Sequence, residues 1–119
     1  MGKWLIEQVR DVCVAEVDRL IQGRVKGPRG EAWSSALENE ELKSVMARLA
    51  PDVVDRVLFE LLFKVDEGVL DLTVVGPPAL TTSDVDRGEY AGWFEGADGW
   101  RQWFAKERFN DYYSEDGAT

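Results

Sequence analysis

Between Pro51 and Glu67 the chain reads PDVVDRVLFELLFKVDE, and no other stretch restricts the fold as strongly. The charged residues Asp52, Arg56, Glu60, Lys64 and Glu67 are separated by four, four, four and three positions. That spacing stacks them along one edge of an α-helix, where opposite charges pair at i,i+4 while facing water. Nearly everything else is large and apolar: Val53, Val54, Val57, Leu58, Phe59, Leu61, Leu62, Phe63 and Val65. A helix apolar over most of its circumference needs cover on several sides. The pattern therefore predicts a mainly α fold, with three to four helices around a central apolar helix over 51–67.

The rest of the chain supplies the cover. From Lys3 to Gln22, Ile6, Val9, Cys13, Val17 and Leu20 recur every three or four residues, with Leu5, Val12 and Ile21 widening the stripe. This is an amphipathic helix with Cys13 on its buried side, and Gly23 is placed to end it. Residues 23–30, GRVKGPRG, hold three glycines, a proline and three basic side chains, and read as a flexible basic loop. A phosphate-binding loop would need Gly-Lys-Ser/Thr at a helix start, and Gly30 is followed by Glu31. The loop is either a solvated linker or a contact to acidic groups, a partner's or the chain's own. Around Trp33 the sequence allows a short helical turn. Asn39 can cap a second short helix carrying Leu42, Val45, Met46 and Leu49, with Glu40 and Glu41 favourable in its first turn. Pro51 is expected to stop that helix and to open the central one.

After Gly68 the period changes. Leu70, Leu72 and Val74 alternate with Asp71 and Thr73 up to Gly76-Pro77-Pro78, which reads as a short strand more readily than as continued helix. A lone strand needs a partner. Either a hairpin forms within 69–83, with Ala79–Ser83 returning across the prolines, or the strand pairs with its copy in a second subunit.

The 119 residues make one domain, long enough to bury roughly two-thirds of the unfolded surface without disulfides or metal. The single cysteine excludes an internal disulfide and thiolate zinc sites. No residue is histidine, so His-based triads, imidazole bases and His metal sites are excluded. No apolar run is long enough to span a membrane, and acidic Glu7 interrupts any leader-like segment. These features fit a cytoplasmic protein. No cofactor or metal is expected: the alternating acids Asp84 and Asp86 are not completed into a calcium loop.

The formal charge of −9 is uneven: residues 1–50 balance at eight basic and eight acidic, whereas residues 51–119 carry six basic and fifteen acidic. An acidic field disfavours nucleic acid and anionic membranes and favours basic partners. It also serves solubility alone. Nine of the thirteen aromatics fall between Tyr90 and Tyr113, threaded with glycine and carboxylate in GWFEGADGW over 92–100. Asp98 can cap a helix there that carries Trp100, Trp103 and Phe104. Rings at helical spacing pack against a central helix in most proteins, but aromatics rimmed by carboxylates also suit a partner bearing Arg or Lys.

Three functions stay open. The first is a non-enzymatic interaction module, for example an immunity or inhibitor protein. It would bind a basic partner through Trp93, Glu95, Asp98, Trp100, Arg101 and Trp103, with Asp84, Asp86 and Glu89 as an acidic rim. The second is a small-molecule or peptide binder with an aromatic cage of Trp93, Trp100 and Trp103. The third is a carboxylate-only enzyme using Asp84 with Asp86, or Asp66 with Glu67; solvated charge at a turn accounts for both pairs. A homodimer is expected from the apolar surface that three short elements leave over. The tail over 114–119, SEDGAT, is expected to fray.

Overall fold

The computed structural model describes residues 1–112; the tail expected to fray over 114–119 lies outside them. The fold is mainly helical, as the periodicity predicts. Helix α1 is one rod over residues 2–21, made of Gly2–Leu5, a π-helical turn Ile6–Arg10 and Asp11–Ile21. Helix α2 is Pro28–Ala36, α3 is Glu40–Asp66, α4 is Tyr90–Glu95 and α5 is Trp100–Phe104. A two-stranded antiparallel hairpin, β1 Thr73–Val74 and β2 Leu80–Thr81, pairs Thr73 with Thr81 and Val74 with Leu80. The strand thus finds its partner across the prolines, within the chain.

Several local signals act as their chemistry predicts. Asn39 caps α3, its side-chain oxygen accepting from the Leu42 amide at 2.8 Å. Gly23 and Gly68 adopt positive φ and close α1 and α3 with paired bonds back into the last turn. These are Gly23 N to Leu20 O and Arg24 N to Arg19 O, then Gly68 N to Val65 O and Val69 N to Lys64 O. Pro28 opens α2, so the basic stretch splits: residues 23–27 connect two helices, while Pro28-Arg29-Gly30 forms a first turn. Arg24, Lys26 and Arg29 make no ion pair among the described residues.

Two expectations are corrected. Cys13 is exposed rather than buried; Val14 and Asp11 take the inward positions of α1 instead. Pro51 does not separate two helices. It lies fully buried inside α3, which runs unbroken for 27 residues. A proline in a helix lacks the N–H that residue i−4 would receive, and its ring crowds that carbonyl. Here the freed carbonyl of Ala47 finds a donor elsewhere, Arg108 Nη2, and Asn110 Nδ2 donates to the neighbouring Arg48 O at 3.0 Å. Residues 105–112 thus run as an extended strap against α1 and α3, supplying the bond that Pro51 leaves open.

The strap is held by polar contacts. Asp11 accepts from the Lys106 and Glu107 amides at 2.9 and 3.4 Å, and Arg108 is bidentate on Asp18 at 2.5 and 2.9 Å. Asp52 accepts from Asn110 at 3.0 Å and from the Tyr112 hydroxyl at 2.8 Å. Bonding to that carboxylate, then desolvation, then the Asp52 charge raise the Tyr112 phenol above its ordinary 10.0. The folded state holds this proton more tightly than the unfolded chain. The contact is therefore complete below about pH 10 and is lost only as pH rises through the raised value. In ultraviolet titration Tyr112→Phe should remove a phenol that ionises above the ordinary value; removal of one that titrates at the ordinary value would contradict the contact.

The apolar core is divided along α3. Near its C-terminal end Leu58, Leu62 and Val65 pack against Leu5 and Ile6 of α1 and Tyr90, Ala91 and Phe94 of α4. Nearer its N-terminal end Ala50 packs with Ile21 and Leu37, flanked by Val17, Met46 and Ala47. Between the clusters the chain buries charge. Arg10, with no exposed surface, donates Nε to Asp55 Oδ1 at 2.9 Å and Nη1 to Asp11 at 3.0 Å. Its remaining hydrogens reach the carbonyls of Glu107 at 2.8 Å and Arg108 at 2.6 Å. Arg101 joins from α5, its Nη1 2.9 Å from Asp55 Oδ2.

Candidate functional site

The aromatic segment is built on α4 and α5, two helices too short to stand without tertiary support. Helix α4 has no capping side chain of its own. Asp66, the last residue of α3, fills that role across space: it accepts from the amides of Gly88 at 2.8 Å, Tyr90 at 3.1 Å and Ala91 at 3.0 Å. Asp66 is therefore a structural cap, with both carboxylate oxygens engaged by backbone amides. In return Arg87 donates to Val65 O at 2.6 Å and Leu70 O at 3.3 Å, satisfying a carbonyl at the end of α3. Its hydrogen bonds to Asp84 and then Asp71 hold the guanidinium pKa above its ordinary value.

Helix α5 begins after Gly99, not on an Asp98 cap. Asp98 takes positive φ, and no capping side-chain bond is made. The reason is crowding: a Cβ on Gly99 would lie 2.2 Å from Trp93 O, so the chain turns through Asp98 to bring Gly99 against α4. The Asp98 carbonyl then accepts the Trp103 indole N–H at 2.8 Å.

The rings divide between core and surface. Tyr90 and Phe94 are buried. Trp100 packs partly buried, its indole over Gly2, where a Cβ would meet the ring at 2.5 Å. Tyr90, Trp93 and Trp100 form a cluster with centroid separations of 5.8 to 6.3 Å. Trp93 keeps 40% of its surface exposed and Trp103 keeps 72%. Arg101 does not belong to a surface site. It is 4% exposed, bound to Asp55 and to Glu95 O at 2.8 Å, and stacked over Phe94 and Phe109 at 5.6 and 4.8 Å. Its Nε has no hydrogen-bond partner among the described residues.

Of the acidic rim, Asp84 is tied to Arg87 at 2.6 Å and Asp86 accepts from the Ser83 hydroxyl at 3.0 Å. Glu89, Glu95 and Asp98 make no ion pair among the described residues. These three carboxylates stand at the two ends of α4 and in its connection to α5, the elements that carry the exposed indoles Trp93 and Trp103. Among the described residues no cluster of three or more His, Cys, Asp or Glu is placed to hold a metal, and no helix is long and apolar enough to cross a membrane. A shallow groove of about 460 Å³ runs beside α4, lined by Phe59, Phe63, Asp66, Glu67, Gly88, Ala91 and Gly92.

Compared with known proteins, the chain matches no family model, no curated protein and no solved structure. The sequence signal missed at this site was Asp55, an acid on the apolar side of the central helix, three residues from Asp52. A charge at that position requires a buried counter-charge, and Arg10 and Arg101 supply it.

Proposed function

We propose that the chain is a non-enzymatic, cytoplasmic interaction module that binds a basic protein through Trp103, Trp93, Asp98 and Glu95, with Glu89 extending the negative rim. The observation that carries this reading is Trp103, an exposed indole whose N–H is already fixed to Asp98 O. A large ring held in one orientation loses little freedom on binding, the quality of an interface anchor. Asp98, whose carbonyl holds that indole, and Glu95 and Glu89 on α4 and at its start suit Arg or Lys side chains, whose stems lie on aromatic faces while their charged ends meet acids. An immunity or inhibitor role is one form of such a module.

The cage reading has less support, because Trp93 and Trp100 pack on each other at 6.3 Å and leave no slot between their faces. The carboxylate-enzyme reading has less still, since Asp84 and Asp86 are engaged in local bonds on an open surface.

Affinity capture from the organism of origin, followed by titration with the purified partner, tests the proposal. Trp103→Ala is expected to weaken binding by about thirtyfold or more, the loss of one anchor worth about 2 kcal/mol. Asp98→Asn should lower the association rate and its salt dependence. Partners retained equally by both variants would remove the proposal.

A further inference from the structure

The face of α3 turned away from the core is apolar where a solvated helix carries charge. Leu42, Val45, Leu49, Val53 and Val57 follow one another at intervals of three, four, four and four. All are exposed, Val53 by 52% and Val57 by 63%. They lie across the helix from Leu58, Leu62 and Val65, which enter the core. Monomers rarely leave so continuous an apolar ridge in water. Met46 and Trp33 extend it sideways into an apolar hollow of about 100 Å³, lined also by Val17, Leu20, Ile21 and Leu37.

We infer that this ridge is the interface of a symmetric dimer, in which α3 pairs antiparallel with α3 of a second copy about a two-fold axis at Leu49. The ridge fits itself about that axis. With Leu49 on its own counterpart, Val45 meets Val53, each four positions from the axis, and Leu42 meets Val57 within one residue. The same register sets Glu41 beside Arg56 of the second copy, twice by symmetry. Like positions on one flank face each other across such an axis, and those two flank positions carry opposite charge. Glu41 makes no ion pair among the described residues, and Arg56, paired with Glu60, keeps 68% of its side chain exposed. The surface is separate from the indole face, so either proposal stands if the other fails.

Sedimentation equilibrium on the full chain is expected to give twice the 13.4 kDa chain mass at micromolar concentration. Val53→Glu should weaken association more than about a hundredfold, because it buries two unpaired carboxylates at the seam. Glu41→Arg and Arg56→Glu should each weaken it by about tenfold, and the double swap should return to near the wild-type value. In a Cys13→Ser background, Leu49→Cys should cross-link two copies by oxidation whereas Glu60→Cys should not. A monomer at every concentration, a dimer indifferent to Val53→Glu, or a charge swap without recovery would each overturn the inference. The substituted positions are solvent-exposed, and circular dichroism on each variant verifies that the fold is retained.

Discussion

Asp55→Asn is expected to cost about 3–5 kcal/mol of folding stability, the largest single loss from a polar substitution in this chain. The asparagine keeps the size and an acceptor but removes the charge that two buried guanidinium groups, Arg10 and Arg101, share, leaving Arg10 with Asp11 and Arg101 with no ion pair among the described residues. Neither cation can reach water: Arg10 has no exposed surface and Arg101 has 4%. Losses of this size take a large share of the 5–15 kcal/mol that stabilises an ordinary domain. Urea unfolding followed by helical circular dichroism should show a lower midpoint at unchanged slope. A loss below about 1 kcal/mol would mean that the cluster is hydrated in solution. Replacing all three members with apolar residues should recover part of the loss, as buried ion pairs elsewhere do. Recovery stays partial because Arg10 also serves the carbonyls of Glu107 and Arg108.

Phe94→Ala is expected to be comparably severe, about 3–5 kcal/mol. The ring is 1% exposed and forms the part of α4 that enters the main core with Leu58, Leu62 and Tyr90. It also lies under the Arg101 guanidinium at 5.6 Å, so its removal strips one aromatic face from the same cation that Asp55 neutralises. The two substitutions share a partner, and the double variant should fall short of the sum of the singles. Thermal unfolding of the four proteins of that cycle measures the difference. Trp103→Ala, on an exposed ring, should stay within about 0.5 kcal/mol of wild type. That contrast separates the residues that build the face from those proposed to use it. A Trp103→Ala protein as unstable as Phe94→Ala would show the indole to be structural and leave the binding proposal without its anchor.

The legible parts of this fold are those whose causes lie within a few residues. Asn39 as a cap, Gly23 and Gly68 as helix ends, and the hairpin across Gly76-Pro77-Pro78 each follow from side chains adjacent in the chain. The periodicity of 51–67 placed Leu58, Leu62 and Val65 in the core correctly. It could not separate them from Val53 and Val57, since nothing local states which side of an almost wholly apolar helix will be covered. At the candidate site the exposed Trp93 stands where glycine and carboxylate interrupt the aromatics, and the exposed Trp103 follows that stretch by three residues. Arg101 carries the same local signature and is buried, because its counter-charge is 46 positions away on α3.

Sequence by itself determined the helical class, the central position of α3, the capped ends and the concentration of rings and negative charge in the C-terminal part. Periodicity and local hydrogen bonding are short-range, and they are written directly in residue order. Tertiary structure alone decided that α3 passes through Pro51, that Asp66 caps α4 and that Asp55 gathers Arg10 and Arg101. Each of these replaces a missing local bond or charge with one from a distant residue. The carbonyls of Ala47 and Arg48 accept from Arg108 and Asn110, about sixty positions on, and such a partner becomes visible only once the chain has folded back upon itself.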